Sequence, residues 1–169
     1  MITLRMMSTA LLMNSRDELL MMKRSLTRTL SPGLWAAVGG HLEPHELNNP
    51  RAACLREIDE ETGITNTEIT GLHMQYVLIR LNKNEVRQQF FYIGRTDKNP
   101  TRETDEGELH WIARDEILNR PLPYIFRCLL EHYFQFGDTP YPWIGSSGLQ
   151  AESGEPIIHW NPLLDPEQI

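Results

Sequence analysis

The stretch Gly39 to Ile64 reads GGHLEPHELNNPRAACLREIDEETGI, and it decides the fold of the chain. Its last nine residues include Glu57, Glu60 and Glu61. If Pro50 to Thr62 is a helix, these glutamates lie at i, i+3 and i+4, so their carboxylates share one turn. Like charges at this spacing repel by roughly 0.2–0.5 kcal/mol on an exposed helix, and a bound divalent cation reverses that effect. The triplet therefore indicates either a magnesium or manganese site or an ordinary solvated acidic face.

Local signals define both ends of this helix. Asn49 is a good N-cap, and the proline after it is favoured at the first helical position. Gly63 can adopt the left-handed conformation that ends a helix. Ala52, Leu55 and Ile58 recur at helical spacing, so we expect this apolar stripe to face the core.

The residues around the triplet match a longer pattern: Gly, five residues, Glu, seven residues, then Arg-Glu-apolar-x-Glu-Glu-x-Gly-apolar. In this stretch the chain resembles a Nudix hydrolase. The later stretch DEGELHWIARDEI, residues 105–117, with the PLP stretch and apolar helix after it, is similar to the MutT-like branch. The positions that match the longer pattern are Gly40, Glu46, Arg56, Glu57, Ile58, Glu60, Glu61, Gly63 and Ile64. One departure is that nine residues, instead of seven, separate Glu46 from Arg56. We place the two extra residues at Asn48 and Asn49, where they lengthen a loop and leave the helix in register but make the position of Glu46 less certain.

The rest of the chain alternates between strand-like and helix-like patterns. Strands are predicted at Thr3–Met13, Glu18–Lys23, Trp35–Val38, Ile69–Leu81, Val86–Arg95 and Glu108–Ile112, the first two and the fourth and fifth forming hairpins. Helices are predicted at Arg114–Leu118 and Leu122–Phe136. This pattern alone indicates the α+β class. The resemblance implies the Nudix fold, an α/β/α sandwich with a mixed β-sheet between helices.

Length and composition bound the domain organisation. With 169 residues and 40% apolar content, the chain can build one domain with a proper core and is too short for two ordinary ones. We assign residues 1–137 to a Nudix hydrolase domain. Five of the eleven prolines follow Gly137, and no periodicity is sustained there. Residues 138–169 are therefore not expected to form a regular domain, and we assign them to a Pro/Gly-rich arm that is either packed or flexible.

Charge and cysteine usage limit the partners and the compartment. A net charge of −7 argues against a nucleic acid polymer as partner. No stretch has the length needed to span a bilayer, so no membrane partner is predicted. Cys54 and Cys128 have no metal-site spacing, which favours a reducing compartment and a cytoplasmic protein. Whether the arm forms the contact of a homodimer is left open.

The resemblance also implies the residues of a catalytic site. Glu57, Glu60, Glu61 and the Gly40 carbonyl would hold Mg²⁺, with Mn²⁺ as a substitute. Arg56 would orient a metal-binding glutamate through a charge-assisted hydrogen bond. The general base is left open between Glu61 and Glu106, which lies in a later acidic loop.

The implied reaction is magnesium-dependent hydrolysis of a diphosphate linkage in a nucleoside diphosphate derivative. One candidate is conversion of a nucleoside triphosphate, oxidised or not, to the monophosphate and pyrophosphate. Arg24, Phe90 and Tyr124 are the predicted substrate-binding residues, although core packing is an alternative for the aromatic ones. Pro123 and Tyr124 lie where some relatives carry paired acidic residues for an oxidised purine. The alternative function is a non-catalytic Nudix-fold protein that binds a nucleotide or regulates in response to it.

Overall fold

The computed structural model describes residues 1–27 and 32–168. The strands in these ranges are β1 (Thr3–Met13), β2 (Glu18–Arg24), β3 (Trp35–Ala36), β4 (Val38–His41), β5 (Thr70–Asn82), β6 (Glu85–Arg95), β7 (Gly107–Ala113), β8 (Trp143–Leu149) and β9 (Pro156–Pro162). The α-helices are α1 (Pro50–Thr62), α2 (Arg114–Ile117) and α3 (Tyr124–Phe136). The segment predicted as one strand from Trp35 to Val38 is two strands instead.

The sheet is mixed and is organised around β1. This strand pairs in parallel with β6 and antiparallel with β4. The β5–β6 hairpin is confirmed, but β1 and β2 pair only at Met13 and Leu19. The predicted first hairpin is therefore reduced to one rung, because β2 leaves β1 to pair with β7 and β3.

Both faces of β1 are buried, and each faces a different core. Leu11 and Met13 belong to a cluster with side chains of α3, whereas Ala10 and Leu12 pack with side chains of α1. This follows from the alternation of side chains along a strand. The sheet therefore lies between helices, and the α+β Nudix fold expected from the resemblance is confirmed.

Helix α1 begins and ends as predicted. The Asn49 side chain accepts a hydrogen bond from the Ala52 N–H at 3.2 Å, and Gly63 has φ of 76°. The prediction of which side of α1 faces the core was wrong in part, since Ala52 and Leu55 of the expected apolar stripe are only partly buried. The apolar residues that the helix buries fully are Ala53, Cys54 and Ile58. None of the helices in the described ranges is long and apolar enough to cross a membrane.

The C-terminal arm adds two strands to the sheet, which the sequence patterns did not predict. Strand β8 pairs in parallel with β5, and β9 pairs antiparallel with β8 at the sheet edge. The His132 ring of α3 lies 4.7 Å from the rings of Trp143 and of Trp160, and its Nδ1 is 2.9 Å from the Tyr76 hydroxyl. The arm is therefore packed against the sheet edge and α3 through β8 and β9, and Ile169 lies outside the described residues. The division of the chain at residue 137 stays a prediction.

Candidate active site

Two glycines bring strand β4 close to helix α1. Gly39 and Gly40 pair with Thr9 and Ser8 of β1, which fixes one side of the strand. A Cβ atom at Gly40 would collide with the carboxylate of Glu57, and one at Gly39 would collide with the Ser8 carbonyl oxygen. The absence of side chains therefore allows the acidic face of α1 to lie directly against this backbone.

Glu61 is the most enclosed carboxylate of the triplet. Its side chain accepts a hydrogen bond from the Gly39 N–H at 3.0 Å, and only 7% of the residue is exposed. Burial raises its pKa to about 8, and the nearby charges of Glu57 and Glu106 act in the same direction. A buried carboxylate in this environment gains from a nearby cation.

Glu57 shares the same environment one turn earlier on α1. Its pKa is raised, mainly by burial, although Arg56 opposes the shift. Glu106, just before β7, is close enough for its charge to raise the pKa of both Glu57 and Glu61. The structure therefore brings together carboxylates from α1 and from the later acidic loop, although Glu106 is about 45 residues away in sequence.

Arg56 connects the acidic residues of the motif. Its Nε and Nη2 atoms donate to the two carboxylate oxygens of Glu46, each at 2.9 Å. Its Nη1 atom donates to Glu57 and to Glu60, again at 2.9 Å, while Nη2 also reaches the His41 carbonyl at 3.0 Å. The two-residue insertion therefore leaves Glu46 in contact with Arg56. An orienting role for Arg56 requires that its side chain contact the glutamates of the motif, as it does here. The role itself remains a prediction.

The ion pair between Arg56 and Glu46 predicts a pH dependence of stability. Glu46 is only 4% exposed, and the hydrogen bonds from Arg56 lower its pKa to about 2. Because the folded pKa lies below the ordinary value, the pair stabilises the fold above about pH 4.5, and this contribution is lost as the pH falls toward 2. Thermal unfolding of the wild type and of Glu46→Gln, measured from pH 7 to pH 2, tests this expectation.

We expect Glu46→Gln to unfold at a lower temperature than the wild type at pH 7, because glutamine cannot carry the charge that pairs with Arg56. The difference should shrink steadily below pH 4.5 as the wild-type carboxylate becomes protonated. A difference that is constant across this range would show that the charge of Glu46 contributes nothing.

A cleft of about 350 Å³ lies beside this acidic site on the α3 side of the sheet. Gly39 belongs to its wall, together with the predicted substrate residues Arg24 and Tyr124. Phe90 is 8% exposed and packs in the core toward α1, so its side chain does not line the cleft, and its prediction as a substrate contact is not supported. The next residue, Phe91, lines the cleft, because neighbouring side chains of a strand face opposite sides.

Three polar residues in the cleft wall were missed in the sequence. These are Arg80, Arg87 and Gln89. Their signal was present in the alternation of β5 and β6, since Arg80 has the same parity as buried Tyr76, and Arg87 and Gln89 have that of Phe91. They lie on the face that begins as apolar core and becomes polar at the cleft.

Comparison with known protein families assigns the fold and its motif. The model of the NUDIX domain family matches residues 4–133. The chain belongs to the NUDIX family. No curated protein matches the sequence significantly.

Solved structures of the NUDIX family resemble the chain closely in fold. The MutT protein from Bacillus halodurans has a TM-score of 0.70 at 18% identity, covering 96% of this chain and 99% of its own. The MutT NUDIX hydrolase from Burkholderia pseudomallei has a TM-score of 0.63 at 26% identity, covering 76% of this chain and 97% of its own. An Ap4A hydrolase from C. elegans has a TM-score of 0.63 at 17% identity and covers 78% of this chain and 96% of its own.

NUDIX membership and the complete acidic motif make this chain a hydrolase of phosphorus-containing acid anhydrides. The donor set fits a hard divalent cation, because the partly buried Glu57 carboxylate and the buried Glu61 carboxylate both lie against the Gly39–Gly40 strand. In the described residues, however, no three acidic, histidine or cysteine side chains are arranged to hold one ion, and Glu57 and Glu60 contact Arg56 instead. The set Gly40, Glu57, Glu60 and Glu61 therefore remains a prediction.

Proposed function

We propose that this NUDIX protein is a magnesium-dependent pyrophosphohydrolase that cleaves a diphosphate linkage in a nucleoside diphosphate derivative. The observation that carries the proposal is the convergence of Glu57, Glu61 and Glu106 beside the Gly39–Gly40 strand, whose residue Gly39 also lines an open cleft. Carboxylates that raise each other's pKa in a partly buried site favour the binding of a divalent cation and the phosphates that it bridges.

The residues of the site would have different roles in hydrolysis. Glu57, Glu60, Glu61 and the Gly40 carbonyl would hold the Mg²⁺ ion, which supplies charge neutralisation for the phosphates and a more acidic bound water. Arg56 would fix the orientation of Glu57 through their 2.9 Å hydrogen bond. Glu61 or Glu106 would take the proton of the attacking water.

The substrate would be a nucleotide held in the cleft between Arg24 and Tyr124. Two of the similar structures are MutT proteins, which supports a nucleoside triphosphate, oxidised or not, as one candidate. The Ap4A hydrolase likeness supports a dinucleoside polyphosphate as another. We place the protein in the cytoplasm, in keeping with its two free cysteines.

Hydrolysis is expected to depend on a divalent metal. Product formation should be followed by chromatography over nucleoside triphosphates, oxidised triphosphates, dinucleoside polyphosphates and nucleotide sugars, with Mg²⁺, with Mn²⁺ and with EDTA. The products to detect are pyrophosphate, nucleotides and sugar phosphates. We expect at least one substrate to be cleaved with either metal and none with EDTA, because without the cation nothing neutralises the charge that develops on the phosphates or acidifies the attacking water. Cleavage that continues unchanged in EDTA would contradict the metal site. Pyrophosphate release from a triphosphate would identify the MutT-like reaction.

A further inference from the structure

Three arginines lie side by side across the central strands. Arg5 of β1 is the register partner of Arg87 of β6, and Arg87 is also the partner of Arg80 of β5. Like charges directly opposite one another on neighbouring strands are unfavourable. A row of three on a folded sheet therefore needs compensating negative charge, supplied either by the protein or by a ligand.

The protein compensates only part of this row. Glu85 lies 2.6 Å from Arg5 and 2.6 Å from Arg87, so one carboxylate serves two guanidinium groups. Within the described part of the chain, Arg80 makes no hydrogen bond or ion pair, although it is only partly exposed. Burial and the charge of Arg87 lower the pKa of Arg80, and the charge of Glu85 opposes this shift. Glu85 therefore acts on Arg80 only through space, and the guanidinium group of Arg80 is able to hydrogen-bond an external anion.

The charged side chains in the described wall of the cleft are all cationic, although the protein is acidic. Its described wall includes Arg24, Arg80 and Arg87 and no aspartate or glutamate, whereas the whole chain has a net charge of −7. The uncharged polar residues of the wall include Gln89, whose side chain donates a hydrogen bond to the Thr9 hydroxyl at 2.8 Å. This separation of charge favours an anionic ligand over a neutral one in the cleft.

We propose that the cleft binds a second phosphate group of the substrate, held by Arg80 and Arg87 and distinct from the diphosphate that is cleaved. This proposal rests on the proposed function, since the diphosphate is taken to lie at the carboxylate site. The planar guanidinium fork suits phosphate oxygens, which it can engage in two parallel hydrogen bonds. The substrate class is then a nucleoside diphosphate derivative that carries a phosphate monoester on its ribose.

Matched pairs of nucleotides that differ by one ribose phosphate test this proposal without turnover. Isothermal titration calorimetry of the full chain in EDTA would compare ADP-ribose 2′-phosphate with ADP-ribose, and coenzyme A with 3′-dephospho-coenzyme A. We expect the phosphorylated member of at least one pair to bind about 10- to 100-fold more tightly, the range of a charge-assisted hydrogen bond. The pair that discriminates shows which ribose position the phosphate occupies.

Arg80→Gln should reduce this preference to within about threefold, because the neutral amide cannot replace the charge. The matched control is Arg95→Gln on strand β6, since Arg95 lies outside the cleft wall. Its preference should equal that of the wild type. Circular dichroism of both variants would verify that each is folded.

Equal affinity within both pairs for the wild type would overturn the proposal, as would a preference that survives in folded Arg80→Gln. Because these titrations need neither metal nor hydrolysis, they are independent of the proposed reaction. A preference for the phosphorylated ligand without any hydrolysis in Mg²⁺ would support the phosphate site and reject the proposed activity.

Discussion

Glu61→Gln is expected to lower the rate of metal-dependent hydrolysis by about two orders of magnitude or more, since a metal site supplies several kcal/mol of charge stabilisation. The fold should survive, because a glutamine can still accept the hydrogen bond from the Gly39 N–H that Glu61 accepts at 3.0 Å. In EDTA the variant should be at least as stable as the wild type. Burial, Glu57 and Glu106 raise the pKa of the Glu61 carboxyl group, which means that its ionised form is unfavourable in the folded protein, and glutamine has no ionised form.

The control for this variant is Asp59→Asn on the same helix. The Asp59 side chain is 47% exposed and pairs at 3.2 Å with Arg102, so it lies outside the carboxylate cluster. We expect its activity and unfolding temperature to stay near those of the wild type. Initial rates in Mg²⁺ and thermal unfolding in EDTA would be measured for both variants and for the wild type. A Glu61→Gln enzyme that keeps wild-type turnover would remove Glu61 from the proposed site.

The strands and helices that the sequence predicted well are those with strong local signals. Helix α1 begins and ends at the predicted residues because Asn49 and Gly63 act as its caps. Strand β1 also has its predicted bounds, since its long apolar run is buried on both faces. Strand β4 was missed because Gly39 and Gly40 have little intrinsic preference for strands, and only the pairing with β1 places them in the sheet.

The arm shows what local patterns leave out. Strand β8 contains Gly145 and Gly148, residues that weaken a strand taken alone. Its position is set by long-range contacts, above all the parallel pairing with β5 and the packing of Trp143 and Trp160 around His132. Such contacts join segments far apart in sequence, so a reading of local periodicity cannot supply them.

For the site too, local spacing predicted some residues, and long-range strand pairing placed others that the sequence did not predict. The acidic residues of α1 could be placed from their spacing, because a helix fixes which side chains share a face. Phe90 was predicted as a substrate contact with core packing as the alternative, and it packs in the core. Phe91 lies on the cleft face instead, because side chains alternate along a strand. The Arg80 and Arg87 pair depends on the register between β5 and β6, which the individual strand patterns do not specify.

Arg56→Met is expected to be among the most destabilising substitutions in the described part of the chain. Arg56 pairs with Glu46, Glu57 and Glu60, and its removal leaves the carboxylate of Glu46 buried without a cation. Breaking a buried ion pair from one side costs about 3–5 kcal/mol. At about 2–4 °C for each kcal/mol, the unfolding temperature should fall by roughly 6–20 °C.

Thermal unfolding in EDTA at pH 7 would measure this loss, with Arg102→Met as the matched control. Arg102 forms an exposed pair with Asp59, and we expect a loss of at most about 1 kcal/mol there. The double variant Arg56→Met/Glu46→Gln should recover part of the stability, because it removes the charge left unpaired by the first substitution. If Arg56→Met and Arg102→Met proved equally mild, the buried pair would not be what holds the loop of Glu46 against α1. Recovery in the double variant without recovery of hydrolysis would instead separate the two roles of Arg56, since stability depends on its pair with Glu46 and activity on its contact with Glu57.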